Sequence, residues 1–180
     1  MSKKADFKQL VEQHKDRVYS YAVYMLQNWA DAEEVTQTVF LRLWENWERI
    51  ETMKMKAWIM QVAHNGCIDN LRKRKITVAR LVQLEPHELA LLPGETDGGG
   101  NPAVEHEVCE QRTMVLSAMN ALPDRTRGML LLHYFQGMSY ESIGELMDAT
   151  LSSVKVTIHR GKKKLKEILL ERSPEVVESL

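Results

Sequence analysis

Residues 138–167, MSYESIGELMDATLSSVKVTIHRGKKKLKE, contain two helical patterns separated by a short turn. Ser139 is a suitable N-cap for the first of these helices, and Thr150 can cap the second. Gly137 ends the preceding helix, and three residues, 148–150, form the turn. In the second helix, an apolar stripe at spacings of three and four is expected to pack inward: Leu151, Val154, Ile158, Gly161 and Leu165. Two helices joined by a three-residue turn predict a helix-turn-helix.

The second helix also carries a strongly basic outer face, although the whole chain of 180 residues has a net charge of only −1. In a helix-turn-helix, this helix lies in the major groove of DNA. Lys155 and Arg160 can reach base edges or phosphates, and Ser152 and Ser153 at the helix N-terminus suit a phosphate. Two stripes can point away from the core: Lys155, His159, Lys162 and Lys166 in one, and Val156, Arg160 and Lys163 in the other. A hairpin with a solvated lysine face is the alternative, but caps, turn and stripes together favour DNA binding.

The composition is that of an ordinary soluble globular protein, with 44% hydrophobic and 27% charged residues. No apolar run approaches the ~18 residues needed to span a bilayer, and residues 1–15 lack the apolar stretch of a signal peptide. We therefore expect a cytoplasmic protein with no membrane insertion. The two cysteines, Cys67 and Cys109, are too few for a disulfide framework, and we expect both to be reduced thiols.

Helix breakers divide the chain into two helical parts. Proline is absent before Pro86, and apolar residues at helical spacing in that span predict an all-helical domain. Residues 91–103, LLPGETDGGGNPA, have the composition of a flexible linker that is acidic and rich in glycine. The sequence therefore predicts an all-α protein made of two small helical domains, residues 1–78 and 104–172, joined by a linker at 79–103.

The first domain contains two clear helical segments. In residues 28–47, NWADAEEVTQTVFLRLWENW, Asp31 can cap the helix and Glu34 stands three residues on, as in a capping box. Residues 55–75, MKAWIMQVAHNGCIDNLRKRK, form the second helix, which is expected to end in its basic run. Gly66 in its interior costs ~1 kcal/mol relative to alanine, which indicates a close approach of another element. The stripes expected to form the core are Val35, Val39, Leu43 and Trp47, flanked by Phe40 and Trp44, and in the second helix Trp58, Val62, Ile68 and Leu71.

The chain resembles the bacterial RNA polymerase sigma factors of the extracytoplasmic-function (ECF) group over nearly its whole length. Residues 31–47 resemble the family's core-polymerase-binding helix, and residues 56–75 resemble the helix pair that meets the minus-ten promoter element. Residues 121–165 resemble the domain that reads the minus-thirty-five element. Three such matches in order, with a linker between the second and third, favour membership of this group. The length also leaves no room for the additional domains of larger sigma factors.

The resemblance implies three surfaces. The helix that docks on a coiled coil of the polymerase's largest subunit is matched by Asp31, Glu34, Gln37, Phe40, Leu41 and Trp44. The helix that holds the non-template single strand is matched by Asn65, Asp69 and Arg72, with Lys73 and the rest of residues 72–75 placed to hold phosphates. The loop at residues 50–56 matches the one that captures a flipped base. The duplex contacts are expected at Lys155, Val156, His159 and Arg160, beside Ser152, Ser153, Lys162 and Lys163.

The implied function is recruitment of core polymerase to specific promoters and assistance in promoter melting, with no catalysis and no cofactor in this chain. Such factors are usually held by an anti-sigma partner, so one is expected, although no feature of the sequence identifies it. Gly144 and Gly161 stand where the family usually has alanine, Thr157 where it often has arginine, and Gly66 where it often has a larger residue. These departures leave the exact base preferences open, and the sequence does not identify the promoter, the regulon or the inducing signal.

Two other classes of protein stay open from the residues alone. An ordinary transcription regulator would share the helix-turn-helix but would have a ligand pocket or dimer interface in the first 85 residues. A zinc protein would use two His-x-x-Cys pairs, His64 with Cys67 and His106 with Cys109, although this spacing matches no common zinc module. An enzyme is disfavoured because the chain has no nucleotide-binding glycine-rich loop, no His-Glu-x-x-His and no nucleophile–base set.

Overall fold

The structure is a computed structural model that describes residues 3–51, 54–81, 115 and 117–172. Helices and turns make up these described residues, and no strand occurs among them. The helices are α1 (Lys3–Leu26), α2 (Trp29–Asn46), α3 (Met55–Leu81), α4 (Asp124–Leu130, continued by a π-helical turn at Leu131–Phe135), α5 (Tyr140–Met147) and α6 (Leu151–Arg172). The all-α prediction is confirmed, while most of the predicted linker at 79–103 lies outside the described residues.

The first three helices pack on one another, and α2 contributes the apolar stripe that its sequence predicts. Val35, Val39 and Leu43 are buried, and Trp47 is half-buried. Trp44, which was expected to flank the core, keeps 42% of its surface exposed. Its ring meets the edge of Phe7 from α1 at a centroid distance of 4.9 Å, so it closes the rim of the bundle.

The N-cap of α2 differs from the prediction. Asn28 has the extended backbone of a cap, and its side chain accepts a hydrogen bond from the backbone N–H of Asp31 at 3.0 Å. The prediction that Asp31 caps the helix is wrong, because this residue already lies in the first turn. Its carboxylate pairs instead with Arg74 of α3, which also donates to the carbonyl of Leu26 at 3.1 Å. This pair fixes the basic run of α3 to the corner between α1 and α2.

The buried face of α3 also differs from the predicted one. The fully buried side chains are Ile59, Met60, Ala63 and Cys67, whereas the predicted stripe of Trp58, Val62, Ile68 and Leu71 is only half-buried. The reason is that α3 packs against both α1 and α2, so its innermost line must allow close approach. A Cβ built on Gly66 would lie 3.2 Å from Val35 Cγ1, which confirms the approach expected at this glycine. The helix also continues to Leu81, past the basic run, because no glycine or proline interrupts residues 67–81.

The helix-turn-helix is present with the predicted caps. Gly137 has a positive φ of 63°, and the Ser139 hydroxyl accepts from the backbone N–H of Ser142 at 3.1 Å. Asp148, in the left-handed region, begins the turn, and the Thr150 hydroxyl accepts from the N–H of Ser153 at 3.3 Å. The inward stripe of α6 is largely confirmed, because Val154, Ile158 and Gly161 are buried and Leu165 is half-buried. Leu151 is the exception, since it is 39% exposed at the first position of the helix.

The N-terminal and C-terminal helices share one hydrophobic core and meet along a seam between α1 and α3 on one side and α4, its π-helical turn and α5 on the other. At its centre, the Tyr21 hydroxyl lies 2.8 Å from Nδ1 of His64, and a Cβ built on Gly128 would lie 3.0 Å from Cε1 of that imidazole. At its edge, the Gln136 side chain donates to the carbonyl of Arg17 at 3.1 Å, and Lys56 donates to the carbonyl of Gln136 at 3.2 Å.

Candidate nucleic-acid interface

The outer side of α6 exposes every side chain predicted to contact duplex DNA. These residues, which we call the duplex face, are Ser152, Ser153, Lys155, Val156, His159, Arg160, Lys162 and Lys163. Val156 is 46% exposed although it is apolar, so it is free to meet an apolar group such as a thymine methyl. The inward stripe of α6 packs on α4 and α5, which fixes the direction in which the basic side chains point.

The first turn of α6 provides a small set of donors for a phosphate. The Thr150 and Ser152 hydroxyls lie 3.2 Å apart, and Thr150 also caps the helix. Ser153 is exposed beside them. Backbone N–H groups and the helix dipole make such an N-terminus favourable for an anion.

Two neighbours modify the electrostatics and the direction of the duplex face. The pKa of Glu141 is lowered by hydrogen bonds from its own backbone N–H and from the Ser139 hydroxyl, and by the positive charge of Lys155. Its carboxylate is therefore ionised at neutral pH close to the start of the recognition helix. Further along, the Lys162 ammonium lies 5.8 Å from the ring centroid of Tyr134, a cation–π distance. These interactions favour particular positions for Lys155 and Lys162, two of the five basic or imidazole side chains of the face.

A second polar surface, which we call the strand face, lies on α3 and consists of Asn65, Asp69, Arg72, Lys73 and Lys75. All five side chains are exposed, and Arg72 makes a 3.4 Å ion pair with Asp69. The face borders a cleft of about 730 Å³ that is lined by Asn65, Asp69, Arg72 and Lys75 together with Arg42 of α2. Lys73 does not line this cleft.

The opposite wall of the cleft belongs to the C-terminal helices. It is formed by Asp124, Arg125, Leu146, Met147 and Asp148. Asp124 joins the two walls, because its Oδ2 accepts from Lys75 at 2.7 Å. Its Oδ1 accepts from Arg127 at 2.8 Å, and Arg127 also donates to Asn120 at 2.8 Å. Arg127 is 2% exposed, and this burial lowers its pKa while the nearby Asp124 carboxylate opposes the shift.

A third surface, the polymerase face, lies on α2 and is formed by Glu34, Gln37, Leu41 and Trp44, which recur at spacings of three and four. All four are exposed, and Leu41 is 64% exposed with no core role. Two other predicted docking residues differ from them: Asp31 is paired with Arg74, and Phe40 is half-buried against the core. The exposed part of the predicted docking site is thus a mixed acidic and apolar stripe.

The predicted base-capturing loop is described only in part, because residues 52 and 53 lie outside the described residues. Of the rest, Met55 is buried and Ile50 is half-buried. Lys56 is engaged at the seam through the carbonyl of Gln136.

Of the four suggested zinc ligands, the structure describes His64 and Cys67, and both side chains are packed in the interior. His64 is buried beside the Tyr21 hydroxyl, and burial lowers its pKa to about 4, with a further contribution from Arg125. Burial raises the pKa of the Cys67 thiol to about 12. His106 and Cys109 lie outside the described residues. Among the residues that the structure describes, no three metal-ligating side chains come together.

The sequence did not indicate the residues that close the seam. No sequence motif marks Asp124, Arg127 or Gln136. The partner of Asp124, Lys75, lies 49 positions away in the chain, and the partner of Gln136, Arg17, lies 119 positions away. One local signal was available, because Gly128 interrupts a helix of otherwise good helix formers. Such a glycine points to close packing, but the sequence does not name the partner.

A basic recognition helix on a helix-turn-helix, beside a three-helix bundle with a polar cleft, defines a DNA-binding protein of the helix-turn-helix class. Comparison with known families gives two matches: sigma-70 region 2 matches residues 10–76, and sigma-70 region 4 matches residues 112–165. The first match contains the strand face on α3, and the second contains the duplex face on α6.

Two sequence relatives carry the same description. The ECF RNA polymerase sigma factor SigE of Mycolicibacterium smegmatis is 30% identical over 172 residues, which cover 95% of this chain and 64% of that protein. SigW of Bacillus subtilis, also an ECF RNA polymerase sigma factor, is 28% identical over 165 residues, which cover 91% of this chain and 88% of that protein. The chain therefore spans about two thirds of the first relative and most of the second.

Two solved structures share the fold. The sigma factor RpoE of Bartonella quintana, in complex with the anti-sigma factor NepR, has a TM-score of 0.70 at 21% identity, covering 91% of this chain and 96% of that one. CnrH, in complex with the cytosolic domain of CnrY, has a TM-score of 0.68 at 18% identity, covering 96% and 92%.

This chain belongs to the sigma-70 family of RNA polymerase sigma factors, in its ECF group. The resemblance noted in the sequence is thereby confirmed. Members of this family are transcription initiation factors that catalyse no reaction themselves, which agrees with the prediction that the chain is not an enzyme. Among the described residues, no helix combines the length and apolar character that crossing a membrane requires.

Proposed function

We propose that this chain binds core RNA polymerase, directs it to specific promoters and assists promoter melting in the cytoplasm. The observation that carries the proposal is that one chain exposes a basic recognition helix, a polar strand face and an acidic–apolar stripe on three separate surfaces. A simple transcription regulator needs only the first of these. The matches to sigma-70 regions 2 and 4 support the same assignment.

The duplex face would fix the register of the polymerase on the minus-thirty-five element. Lys155 and Arg160 are placed to reach base edges, and a bidentate contact to guanine contributes about 1–3 kcal/mol of discrimination. Lys162 and Lys163 would follow the phosphate backbone and contribute affinity without sequence preference. The Ser152 and Ser153 hydroxyls would hold one phosphate at the helix N-terminus.

The strand face would act after the duplex is in register. Asn65 and Asp69 can hydrogen-bond the Watson–Crick edge of an unpaired base, which is hidden in duplex DNA. Arg72, Lys73 and Lys75 would hold adjoining phosphates of the same strand. This binding would offset the few kcal/mol that unpairing and unstacking cost, so that melting needs no covalent chemistry in this chain.

The polymerase face would dock on the core enzyme, which supplies the catalysis. An anti-sigma partner is also proposed, because the two structural relatives named above were solved with such partners or with a partner's cytosolic domain. For Asp31 the proposal is narrower than the sequence implied: its carboxylate is paired with Arg74, so it would act by holding the α1–α2 corner.

The docking step can be tested with two leucines. Leu41 on α2 and Leu170 on α6 are both exposed, at 64% and 42%. We expect Leu41→Gln to reduce co-elution with core polymerase in gel filtration, whereas the matched Leu170→Gln leaves it unchanged. Equal co-elution of both variants with the wild type would contradict the proposed docking face, and absence of co-elution for the wild type would contradict the function.

A further inference from the structure

The part of α6 that is proposed to read bases lies between two glycine contacts. Gly161 of α6 packs on Thr126 of α4, and Gly144 of α5 packs on Val154 in the first turn of α6. We propose that Gly161 is a positioning residue, which seats the C-terminal half of the recognition helix close enough to α4 for Arg160 to reach its base. The inference rests on the proposed function, because it concerns how the duplex face is placed on DNA.

At Gly161, α6 lies unusually close to α4. This glycine is buried, and a Cβ built on it would lie 2.5 Å from Cγ2 of Thr126 and 3.1 Å from Cδ1 of Leu130. Non-bonded carbon atoms pack best at about 3.5–4.0 Å, so an alanine at this position would need about 1 Å of extra room. Thr126 is β-branched, and its rotamers in a helix are restricted, which limits how far its methyl group can turn away.

The helix α4 is the fixed partner in this contact. Arg127 of α4 is 2% exposed and donates to Asn120 and Asp124, each at 2.8 Å. Residues 129–132 are all buried in the core. The outer side of α6, in contrast, is exposed. An added methyl group at position 161 would therefore displace α6 away from α4, toward the DNA.

The N-terminal end of α6 is held by a separate contact. A Cβ built on Gly144 would lie 2.7 Å from the backbone carbonyl oxygen of Ala149 in the turn, and 3.8 Å from Cγ2 of Val154. Val154 itself is fully buried. Because a backbone atom closes this contact, α6 cannot shift outward as a whole and would instead tilt about its first turn.

Such a tilt would affect the two halves of the duplex face differently. The seven residues from position 154 to position 161 rise about 10.5 Å along the helix axis. A displacement of about 1 Å at Gly161 would therefore move the backbone of Arg160 by about 0.9 Å and that of Lys155 by about 0.2 Å. A bidentate contact needs two hydrogen bonds of about 2.7–3.2 Å at once, so we expect only the contact made by Arg160 to be lost.

A cation–π contact depends on the same seat. Lys162 follows Gly161 directly, and its ammonium lies 5.8 Å from the ring centroid of Tyr134 in the π-helical turn that continues α4. Cation–π attraction is significant within about 6 Å, so a displacement of about 1 Å would weaken it. The contact at Gly161 therefore places both of its neighbours on the duplex face.

The test compares an alanine at position 161 with the same alanine after room has been made for it. Gly161→Ala adds the methyl group, and Thr126→Ser in the same chain removes the methyl group that it would meet. Polymerase holoenzyme made with each chain is tested by competition binding against single-base variants of its preferred upstream element. Thr126→Ser alone is measured as well, so that its own effect can be subtracted.

We expect Gly161→Ala to lower discrimination about fivefold or more at the base position that depends on Arg160, as identified with Arg160→Ala. Discrimination at the other positions, including any that depends on Lys155, should stay unchanged, and the double variant should recover the wild-type pattern. Circular dichroism verifies that each chain is folded. If Gly161→Ala does not fold, Thr126→Leu decides instead, because it enlarges the α4 side of the contact, leaves α6 unaltered and should cause the same selective loss.

Unchanged discrimination in the folded variant would overturn the inference. A loss that is equal at all positions, or one that Thr126→Ser does not relieve, would also overturn it, because it would make Gly161 a merely structural residue. Absence of any base position that depends on Arg160 in the wild type would contradict the proposed base reading, and with it the inference.

Discussion

The Tyr21 hydroxyl in α1 lies 2.8 Å from Nδ1 of His64 in α3, and both groups are buried. Burial raises the pKa of Tyr21 well above its ordinary value, so its hydroxyl keeps its proton. Burial lowers the pKa of His64 to about 4, so the imidazole is neutral at pH 7. Its Nδ1 can therefore accept a hydrogen bond from the Tyr21 hydroxyl. The centre of the seam is therefore an uncharged hydrogen bond.

This pair predicts a loss of stability in acid. Between pH 6.5 and about 4 the unfolded chain protonates His64 and the native chain does not. The unfolded state then binds more protons, so the free energy of unfolding falls as the pH falls through this range and levels below it. A shift of this size corresponds to about 3 kcal/mol. Urea unfolding of the wild type and His64→Gln across pH 4–7 measures it, and equal pH slopes would contradict the assignment.

The recognition helix predicts two kinds of loss. Lys155→Ala and Arg160→Ala should each weaken binding to the preferred upstream element and reduce discrimination at one base by ~1–3 kcal/mol. Lys164→Ala should weaken all sequences alike, because a phosphate contact carries no sequence information. Competition binding of the polymerase holoenzyme against a set of single-base variants separates the two. Equal, sequence-independent losses for all three variants would remove the base-reading role.

The strand face predicts a defect in opening that spares recognition. Asn65→Ala should slow promoter melting, followed with a fluorescent base in the downstream element, and should leave closed-complex formation nearly unchanged, because closed complexes depend on the duplex face. A pre-melted promoter should restore the variant. Failure of this rescue would point to a folding or docking defect instead of a strand contact.

The ion pair between Asp31 and Arg74 predicts a structural role. The two side chains are 25% and 35% exposed, and a half-buried pair of this kind couples by about 0.5–1 kcal/mol. A double-mutant cycle with Asp31→Asn and Arg74→Met, read by urea unfolding, measures this coupling. A coupling energy near zero, together with a loss of polymerase affinity in Asp31→Asn but not in Arg74→Met, would contradict the structural role. Asp31 would then be a docking residue, as the sequence implied.

The local features of the helix-turn-helix were predictable because they depend on near neighbours. Ser139 and Thr150 cap the helices that follow them, and Gly137 takes the positive φ that only glycine adopts without strain. The same is true of the outward stripes of α6, which follow from its buried stripe.

The tertiary features were not predictable in this way. Asp31 looked like a cap from its spacing to Glu34, but Asn28 has the extended backbone that the cap requires. The face of α3 was assigned from large apolar residues, whereas packing on two sides selects Ala63 and Cys67 for its innermost line. The seam brings Gly128 onto His64, residues 64 positions apart, and no periodicity encodes such a contact.

The most direct test of the central claim is run-off transcription with purified chain, core RNA polymerase and a library of promoter fragments. We predict transcripts that appear only when the chain is added and that start downstream of shared sequence elements near minus thirty-five and minus ten. Sequence-dependent DNA binding without any chain-dependent transcript would contradict the claim and would make the protein an ordinary helix-turn-helix regulator.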